Sequence, residues 1–167
     1  MTFMCNRKFP VIKRSVLYVY LVFIAGCNHS PQPADENKYP YFKGFIQYIN
    51  AALDLSLDDI DNKTVFVIPE HSCSQCIEST YEMLIEENIS HSVLIIIKDS
   101  LDTRYQKYLS DLKTDNRLYF DYTCSIGRFR TNITRPFLLK INNKQPVFTK
   151  HITFANIEEV KTYLHEE

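Results

Sequence analysis

Two continuous apolar runs of strand length divide the chain, and a segment with helical spacing of apolar residues lies between them. The runs span residues 65–68 and 93–97. Runs that are apolar at every position predict strands that are buried on both faces, as in a parallel sheet covered by helices. The helix between them would be the crossover, because parallel neighbours need such a connection. The pattern therefore predicts a strand–helix–strand unit.

The flanking segments predict further elements of the same domain. Residues 42–53 have the apolar spacing of an amphipathic helix, and the alternation of Leu53, Leu55 and Leu57 favours a short strand or extended segment after it. Asp102 or Thr103 is suited to cap another helix. The remaining elements are a strand over 118–122, a loop over 123–134, a hairpin of strands 137–141 and 147–152, and a closing helix with Asn156 as N-cap and Glu159 as its partner.

Two cysteines stand where the first strand gives way to the helix. Cys73 and Cys76 follow Pro69 and precede a helical pattern that includes Ile77 and Tyr81. Unpaired backbone N–H groups and the helix dipole stabilise a thiolate at such a position. The spacing of two residues also brings the sulfurs within bonding reach across one helical turn. The pattern therefore indicates a redox-active pair.

The N-terminus has the features of an export signal. Basic residues precede an apolar run over residues 16–25, which is too short to span a membrane as a helix of ~20 residues. Its end, Ile24-Ala25-Gly26-Cys27, resembles a bacterial lipobox, in which the cysteine is lipidated. We therefore expect a signal peptide over 1–26, lipidated Cys27 with a flexible tether over 27–39, and one domain over 40–167.

Charge and cysteine content then narrow the function. The formal net charge of the whole sequence is −1. The only charged residues in the segment 1–26 are lysines and arginines, so its removal makes the net charge more negative. Nucleic acid is therefore excluded as an expected partner. Export implies a compartment in which disulfides persist. Three cysteines then remain outside the signal peptide and the lipidation site. The simplest arrangement is a disulfide between Cys73 and Cys76, with Cys124 unpaired.

The order of elements resembles the thioredoxin superfamily, and most of all its membrane-tethered lipoproteins in Gram-negative bacteria. Two segments carry the resemblance, namely Cys73-Ser74-Gln75-Cys76 after a buried strand and residues 135–141 before a polar turn. The resemblance implies an α/β thioredoxin-like fold with a mixed central sheet flanked by helices. It also implies that Cys73 is the nucleophile, that Cys76 resolves the mixed disulfide, and that Arg135 and a cis Pro136 bind the substrate.

The sequence departs from the thioredoxin pattern at the site itself. Ser74 and Gln75 replace the Gly-Pro pair, and Val67 occupies the position of a buried acid that helps proton transfer. Glu70, His71 or Glu78 would have to substitute for that acid, and we assign the tuning of the thiol pKa to Glu70 and His71.

These observations predict a lipid-anchored thiol–disulfide oxidoreductase that faces the periplasm and reduces protein or small-molecule disulfides. It would need no cofactor beyond the Cys73–Cys76 pair, and its partners would be a disulfide-containing substrate or redox protein and the membrane. The alternative is a non-catalytic binding module whose cysteines are structural or bind metal. For zinc, His71 and Cys124 would complete the ligand set, and copper is a related alternative. Without such a role, Cys124 is expected to be a small buried apolar residue.

Overall fold

Strands and helices alternate along the chain in the order that an α/β domain requires. A computed structural model describes residues 39–99 and 101–165, so the predicted signal peptide, Cys27 and nearly all of the tether lie outside the described residues. The helices are α1 (Phe42–Leu53), α2 (Leu57–Ile60), α3 (Ser74–Glu86), α4 (Gln106–Leu109) and α5 (Ile157–His165), and the strands are β1 (Thr64–Pro69), β2 (Val93–Ile97), β3 (Arg117–Asp121), β4 (Phe137–Asn142) and β5 (Gln145–His151).

The first apolar run forms the central strand of a five-stranded mixed sheet. The strand order is β3-β2-β1-β4-β5. Strand β1 pairs in parallel with β2, with Val65 opposite Val93, and in antiparallel fashion with β4, with Val67 opposite Phe137. Both buried runs and the crossover helix between them are therefore confirmed as elements. The α/β class with a mixed sheet is confirmed as well.

The polar residues that follow the strands converge on one edge of this sheet. Strands β1, β2 and β3 are parallel and end at Pro69, Ile97 and Asp121, whereas β4 runs in the opposite direction and begins at Phe137. The carboxyl ends of three strands and the start of β4 consequently lie together. We call this edge the site edge, because Cys73 follows β1 there.

Hydrophobic clusters cover both faces of the sheet. Because side chains alternate along a strand, Val65 and Val67 point to one face, and Phe66 and Ile68 point to the other. The first face packs against α1, and the second packs against α3 and α5. The largest fully buried side chains of the first face include Phe45, Tyr48, Ile49 and Ile60, and those of the second include Tyr81, Met83, Leu84 and Leu94.

Several predicted details of the local elements are wrong. Leu53, Leu55 and Leu57 do not form a strand, because Leu53 ends α1 and Leu57 begins α2. The helix expected after Thr103 is only the four residues of α4. The hairpin turn is also shorter than predicted, since only Asn143 and Lys144 lie between β4 and β5. Both residues have positive φ, as a tight hairpin turn requires.

The start of the closing helix also differs from the prediction. Asn156 does not cap α5, because it lies inside a 3-10 turn, Phe154–Asn156, and its Oδ1 accepts a hydrogen bond of 2.7 Å from the Thr153 backbone N–H. Glu159 instead accepts a 2.7 Å hydrogen bond from Lys150 Nζ. A local pair one turn earlier, Thr153 and Asn156, and an ion pair between Glu159 and Lys150 of β5 thus replace the predicted pair. Within residues 39–99 and 101–165, no helix has the length and apolarity to cross a bilayer.

The loop between β3 and β4 is held to α1 by a close backbone approach. Gly44 lies in the first turn of α1, and a Cβ atom there would overlap the carbonyl oxygen of Arg130. Tyr39 strengthens the same contact, because its hydroxyl donates a 2.6 Å hydrogen bond to the carbonyl oxygen of Thr131. The backbone of the loop therefore tolerates no side chain at Gly44.

We predict that Gly44→Ala lowers the free energy of unfolding by roughly 1–3 kcal/mol, because overpacking forces the α1 and loop backbones apart. Urea unfolding of the purified protein would measure the change. Gly127→Ala is the matched control, since nothing lies within 4 Å of a Cβ atom at that position, and its effect should stay within about 0.5 kcal/mol. Equal effects of the two variants would contradict the packing argument.

Candidate functional site

A tight turn connects the central strand to the two cysteines. The Ser72 backbone N–H donates a 3.0 Å hydrogen bond to the Pro69 carbonyl oxygen, so the chain folds back as soon as β1 ends. Cys73 then forms the N-cap of α3 and is exposed, whereas Cys76 in the first turn of the helix is buried, with 6% of its surface accessible. The turn thus presents one sulfur to solvent and keeps the other inside.

The two sulfurs lie at disulfide distance. The Cα atoms of Cys73 and Cys76 are 5.3 Å apart, and the Cys76 backbone N–H donates a 3.3 Å hydrogen bond to Cys73 Sγ. That N–H is one of those that the first turn of a helix leaves without an intrahelical partner. Together with the helix dipole, it favours negative charge on the exposed sulfur.

A carboxyl group is buried directly beyond the end of β1. Glu70 is 1% exposed, and it continues the strand's alternation on the face covered by α3. Its Oε1 accepts a 2.6 Å hydrogen bond from the hydroxyl of Tyr81, which projects from α3. Its Oε2 has no hydrogen-bond partner in the described part of the chain and lies 3.7 Å from Nζ of Lys98, which is itself 5% exposed.

The surroundings of Glu70 favour its protonated form. Burial raises the pKa of Glu70 above the ordinary value, while the Tyr81 hydrogen bond and the Lys98 charge oppose that rise without cancelling it. Burial and the neighbouring carboxylate also raise the pKa of Tyr81 far above the usual range, so Tyr81 remains a donor. Glu70 is therefore a buried group that can take up a proton on the α3 side of the sheet.

The other two substitutes considered for the missing acid lie in solvent. His71 and Glu78 are both exposed, and within the described residues neither makes a hydrogen bond or an ion pair. Val67, at the position of the acid in thioredoxins, is fully buried in the opposite cluster. Of the candidate residues, Glu70 is thus the one that is buried and hydrogen-bonded inside the domain.

Arg135 and Pro136 lie at the site edge beside the end of β1. The β1–β4 register pairs Val67 with Phe137, and Arg135 and Pro136 directly precede Phe137 in the chain. The Pro136 carbonyl oxygen accepts a 2.7 Å hydrogen bond from the Ile152 backbone N–H. The peptide bond before Pro136 is trans, since residues 39–99 and 101–165 contain no cis peptide bond. The cis geometry implied by the thioredoxin resemblance is therefore wrong for this structure.

Cys124 is exposed and not buried as expected. It has a left-handed backbone, with φ of 49°, and it lies in a turn that Asp121 holds together by accepting hydrogen bonds from Thr123 and Ser125. Although the residue is exposed, partial desolvation of its sulfur, followed by the nearby carboxylates of Asp121 and Asp99, raises the pKa of the Cys124 thiol. Its sulfur is consequently less reactive at neutral pH than an ordinary exposed thiol.

The ligand set considered for zinc or copper is not brought together. Within the part of the chain that the structure describes, no three side chains of His, Cys, Asp and Glu are grouped as a metal site requires. Cys73, Cys76, His71 and Cys124 all belong to that part.

Sequence analysis missed two residues of the site, Lys98 and Tyr81. Lys98 directly follows the second apolar run. Polar residues at the carboxyl ends of parallel strands often form functional sites, so this position in the sequence is a signal that could have identified Lys98. Tyr81 shares the helical spacing of the neighbouring apolar residues, and this spacing gives no sign that its hydroxyl reaches a carboxylate.

No family model matches the sequence, and no curated protein is significantly similar to it.

Proposed function

We propose that the protein is a thiol–disulfide oxidoreductase that uses Cys73 and Cys76. The observation that carries the proposal is the unequal exposure of the pair, with Cys73 in solvent at the helix N-terminus and Cys76 buried behind it. A static disulfide needs no such asymmetry, whereas an enzyme of this class needs one sulfur that meets substrate and one that is shielded from it.

In the first step of the proposed reaction, the Cys73 thiolate attacks one sulfur of a substrate disulfide. A bond forms between Cys73 and that sulfur, the substrate disulfide breaks, and the other substrate sulfur leaves as a thiolate that takes a proton from solvent. The Cys76 backbone N–H that bonds Cys73 Sγ stabilises the attacking thiolate. The product is a mixed disulfide on the exposed cysteine.

In the second step Cys76 resolves this mixed disulfide. The Cys76 thiol gives its proton to Glu70 and attacks Cys73. The Cys73–Cys76 bond forms as the mixed disulfide breaks, and the second substrate sulfur leaves as a thiolate that takes a proton from solvent. Two electrons have then passed from the protein to the substrate, and a dithiol donor of the cell envelope would return them. Tyr81 and Lys98 hold Glu70 in place on the side of the sheet that α3 covers.

The arrangement of the sheet supports a thioredoxin-like version of this chemistry. The resemblance implies three parts. They are a redox pair that follows a central parallel strand, a crossover helix, and an antiparallel hairpin whose first strand starts beside that pair. We propose the reducing direction on the same analogy. The trans bond at Pro136 is the departure from it, so the backbone of Arg135 would meet substrate in a different orientation.

We further propose that the lipobox-like Ile24-Ala25-Gly26-Cys27 anchors the domain to a membrane and that the domain faces the periplasm. The proposal rests on the order of basic region, apolar run and cysteine. Substrates and electron donors would then be proteins of the cell envelope.

We predict that the full-length protein, purified in detergent, reduces insulin disulfides with dithiothreitol as the electron source, and that Cys73→Ser abolishes this activity. Cys76→Ser should instead accumulate mixed disulfides, because the resolving sulfur is missing. Cys124→Ser is the matched control and should behave as wild type. A reduction potential below about −200 mV would agree with the reducing direction.

Two results would contradict this proposal. If wild type and Cys73→Ser both reduced insulin no faster than dithiothreitol alone, the cysteines would be structural and the protein would be a binding module. A potential near −120 mV, as in strongly oxidising members of the class, would reverse the proposed direction.

We predict that Glu70→Gln slows the second step on the order of 100-fold, the lower end of what a positioned proton acceptor contributes. Because Glu70 accepts a proton only when ionised and its pKa is raised, the wild-type rate should rise with pH through a range above that of an ordinary glutamate. Stopped-flow release of substrate from a preformed Cys73 mixed disulfide measures this step. Glu78→Gln, on the exposed side of α3, is the control, and the same pH profile in wild type and Glu70→Gln would exclude Glu70 as the acceptor.

We predict that Cys27→Ser abolishes incorporation of labelled palmitate in a Gram-negative host and moves the protein from the membrane to the soluble fraction, because the thiol that carries the lipid is lost. Cys5→Ser is the matched control, since Cys5 lies in the expected signal peptide and should not affect labelling. Labelling of the Cys27→Ser variant at the wild-type level would refute lipidation at Cys27.

A further inference from the structure

The surface around the start of α1 carries positive charge that no acidic residue of the same segments balances. Residues 39–53 contain one charged residue, Lys43, and residues 122–157 contain lysines and arginines but no aspartate or glutamate. Lys43, Arg128 and Arg130 are exposed, and their side chains have no ion-pair or hydrogen-bond partner among the described residues. Their charges are therefore open to a partner from outside the domain.

Contacts between α1 and the β3–β4 loop bring these three cations to one part of the surface. Lys43 directly precedes Gly44, where the backbone of α1 meets the carbonyl group of Arg130. The 3-10 turn Ser125–Arg128, two residues earlier in the loop, also contacts α1. We call the three cations, from Lys43 and the two arginines of this loop segment, the basic surface.

The predicted tether ends at the basic surface. Tyr39, the first described residue, is fixed in the domain, because its hydroxyl donates a 2.6 Å hydrogen bond to the Thr131 carbonyl oxygen and its ring centroid lies 5.2 Å from that of Phe137. Cys27 lies twelve residues before Tyr39. A chain of that length spans about 40 Å when fully extended and on the order of 20 Å as a random coil. The proposed anchor therefore holds the side around Tyr39 nearest the membrane.

We propose that Lys43, Arg128 and Arg130 dock the anchored domain on anionic phospholipid headgroups. The inference rests on the proposed lipidation of Cys27, which supplies the proximity that three charges alone do not. Each lysine or arginine near an anionic bilayer favours the bound state by about fivefold, so the basic surface favours the docked state by roughly 100-fold. Tyr41, 39% exposed at the start of α1, is a residue type that lies at the level of the headgroups.

Docking through the basic surface also sets the position of the redox pair. The loop that carries the two arginines follows the end of β3 and precedes the start of β4, and both of these points lie at the site edge. The acidic residues Asp58 and Asp59 belong to α2, beyond the other end of α1, where docking keeps them away from the like charge of the headgroups. The docked orientation therefore holds the site edge close to the membrane surface.

The test follows the distance between the domain and the headgroups in the full-length lipidated protein. Cys124 is an exposed free cysteine, so a fluorescent maleimide labels it selectively when Cys73 and Cys76 are oxidised. The labelled protein is reconstituted with a headgroup-labelled acceptor lipid, in vesicles of phosphatidylcholine alone or of phosphatidylcholine mixed with phosphatidylglycerol. Energy transfer should be higher in the mixed vesicles and should fall to the level of the neutral vesicles at about 0.5 M salt.

Variants assign the effect to the three side chains. In the mixed vesicles, the triple variant Lys43→Gln, Arg128→Gln, Arg130→Gln should give the energy transfer of the neutral vesicles. Each single substitution should lower the ratio of docked to undocked protein by about fivefold. The matched control removes the same charge from exposed residues of the β2–β3 connection and the start of β3, and it should behave as wild type. It is the triple variant Lys107→Gln, Lys113→Gln, Arg117→Gln.

The outcomes separate docking from anchoring. If the wild-type protein stays on the vesicles but gives the same energy transfer in both compositions, or if the two triple variants lose it equally, docking through the basic surface is overturned and the anchor stands. If the protein carries no lipid on Cys27 and leaves the vesicles, the anchor proposal fails and this inference fails with it. Thermal melting followed by circular dichroism checks that each variant is folded, and the folded single variants decide the question if the triple variant is not.

Discussion

The structure depends on β1, a short strand that is constrained on all four sides. Backbone hydrogen bonds to β2 and β4 fix its two edges, and its faces are buried in separate hydrophobic clusters. A shift of one residue would exchange the side chains of the two faces, so the register is strongly specified. The position of Pro69, and with it the turn to Cys73, follows directly from that register.

The same constraint explains how a charged group comes to be buried. Because the alternation continues past Pro69, Glu70 points under α3, where water is excluded. The hydrogen bond from Tyr81 and the charge of Lys98 compensate only in part for the water that the Glu70 carboxyl group has lost. Burial of an incompletely paired carboxyl group favours its neutral form. A group in this state costs stability, and such costs are typical of functional sites. This is the physical reason to connect Glu70 with Cys76, which is buried in the first turn of α3.

Acidic and basic residues are carried by different elements of the fold. Helix α3 has Glu78 and Glu82 on its exposed side, whereas residues 122–157 contain lysines and arginines but no aspartate or glutamate. Three exposed arginines, Arg128, Arg130 and Arg135, lie in the connection from β3 to β4, and the close approach of Gly44 to Arg130 fixes part of that loop against α1. The packing of the loop on α1 therefore determines where part of this positive charge lies.

The elements with local signals could be predicted from the amino-acid sequence. The two apolar runs form β1 and β2, and the cysteines begin a helix as their spacing indicates, because strand burial and helix capping depend on neighbouring residues. Four features of the site required the folded domain. Glu70 is buried whereas His71 and Glu78 are exposed, Lys98 and Tyr81 reach Glu70, Cys124 is exposed, and Pro136 is trans. Each of these depends on which residues of distant segments meet at the site edge, and such contacts leave no periodic trace in the sequence.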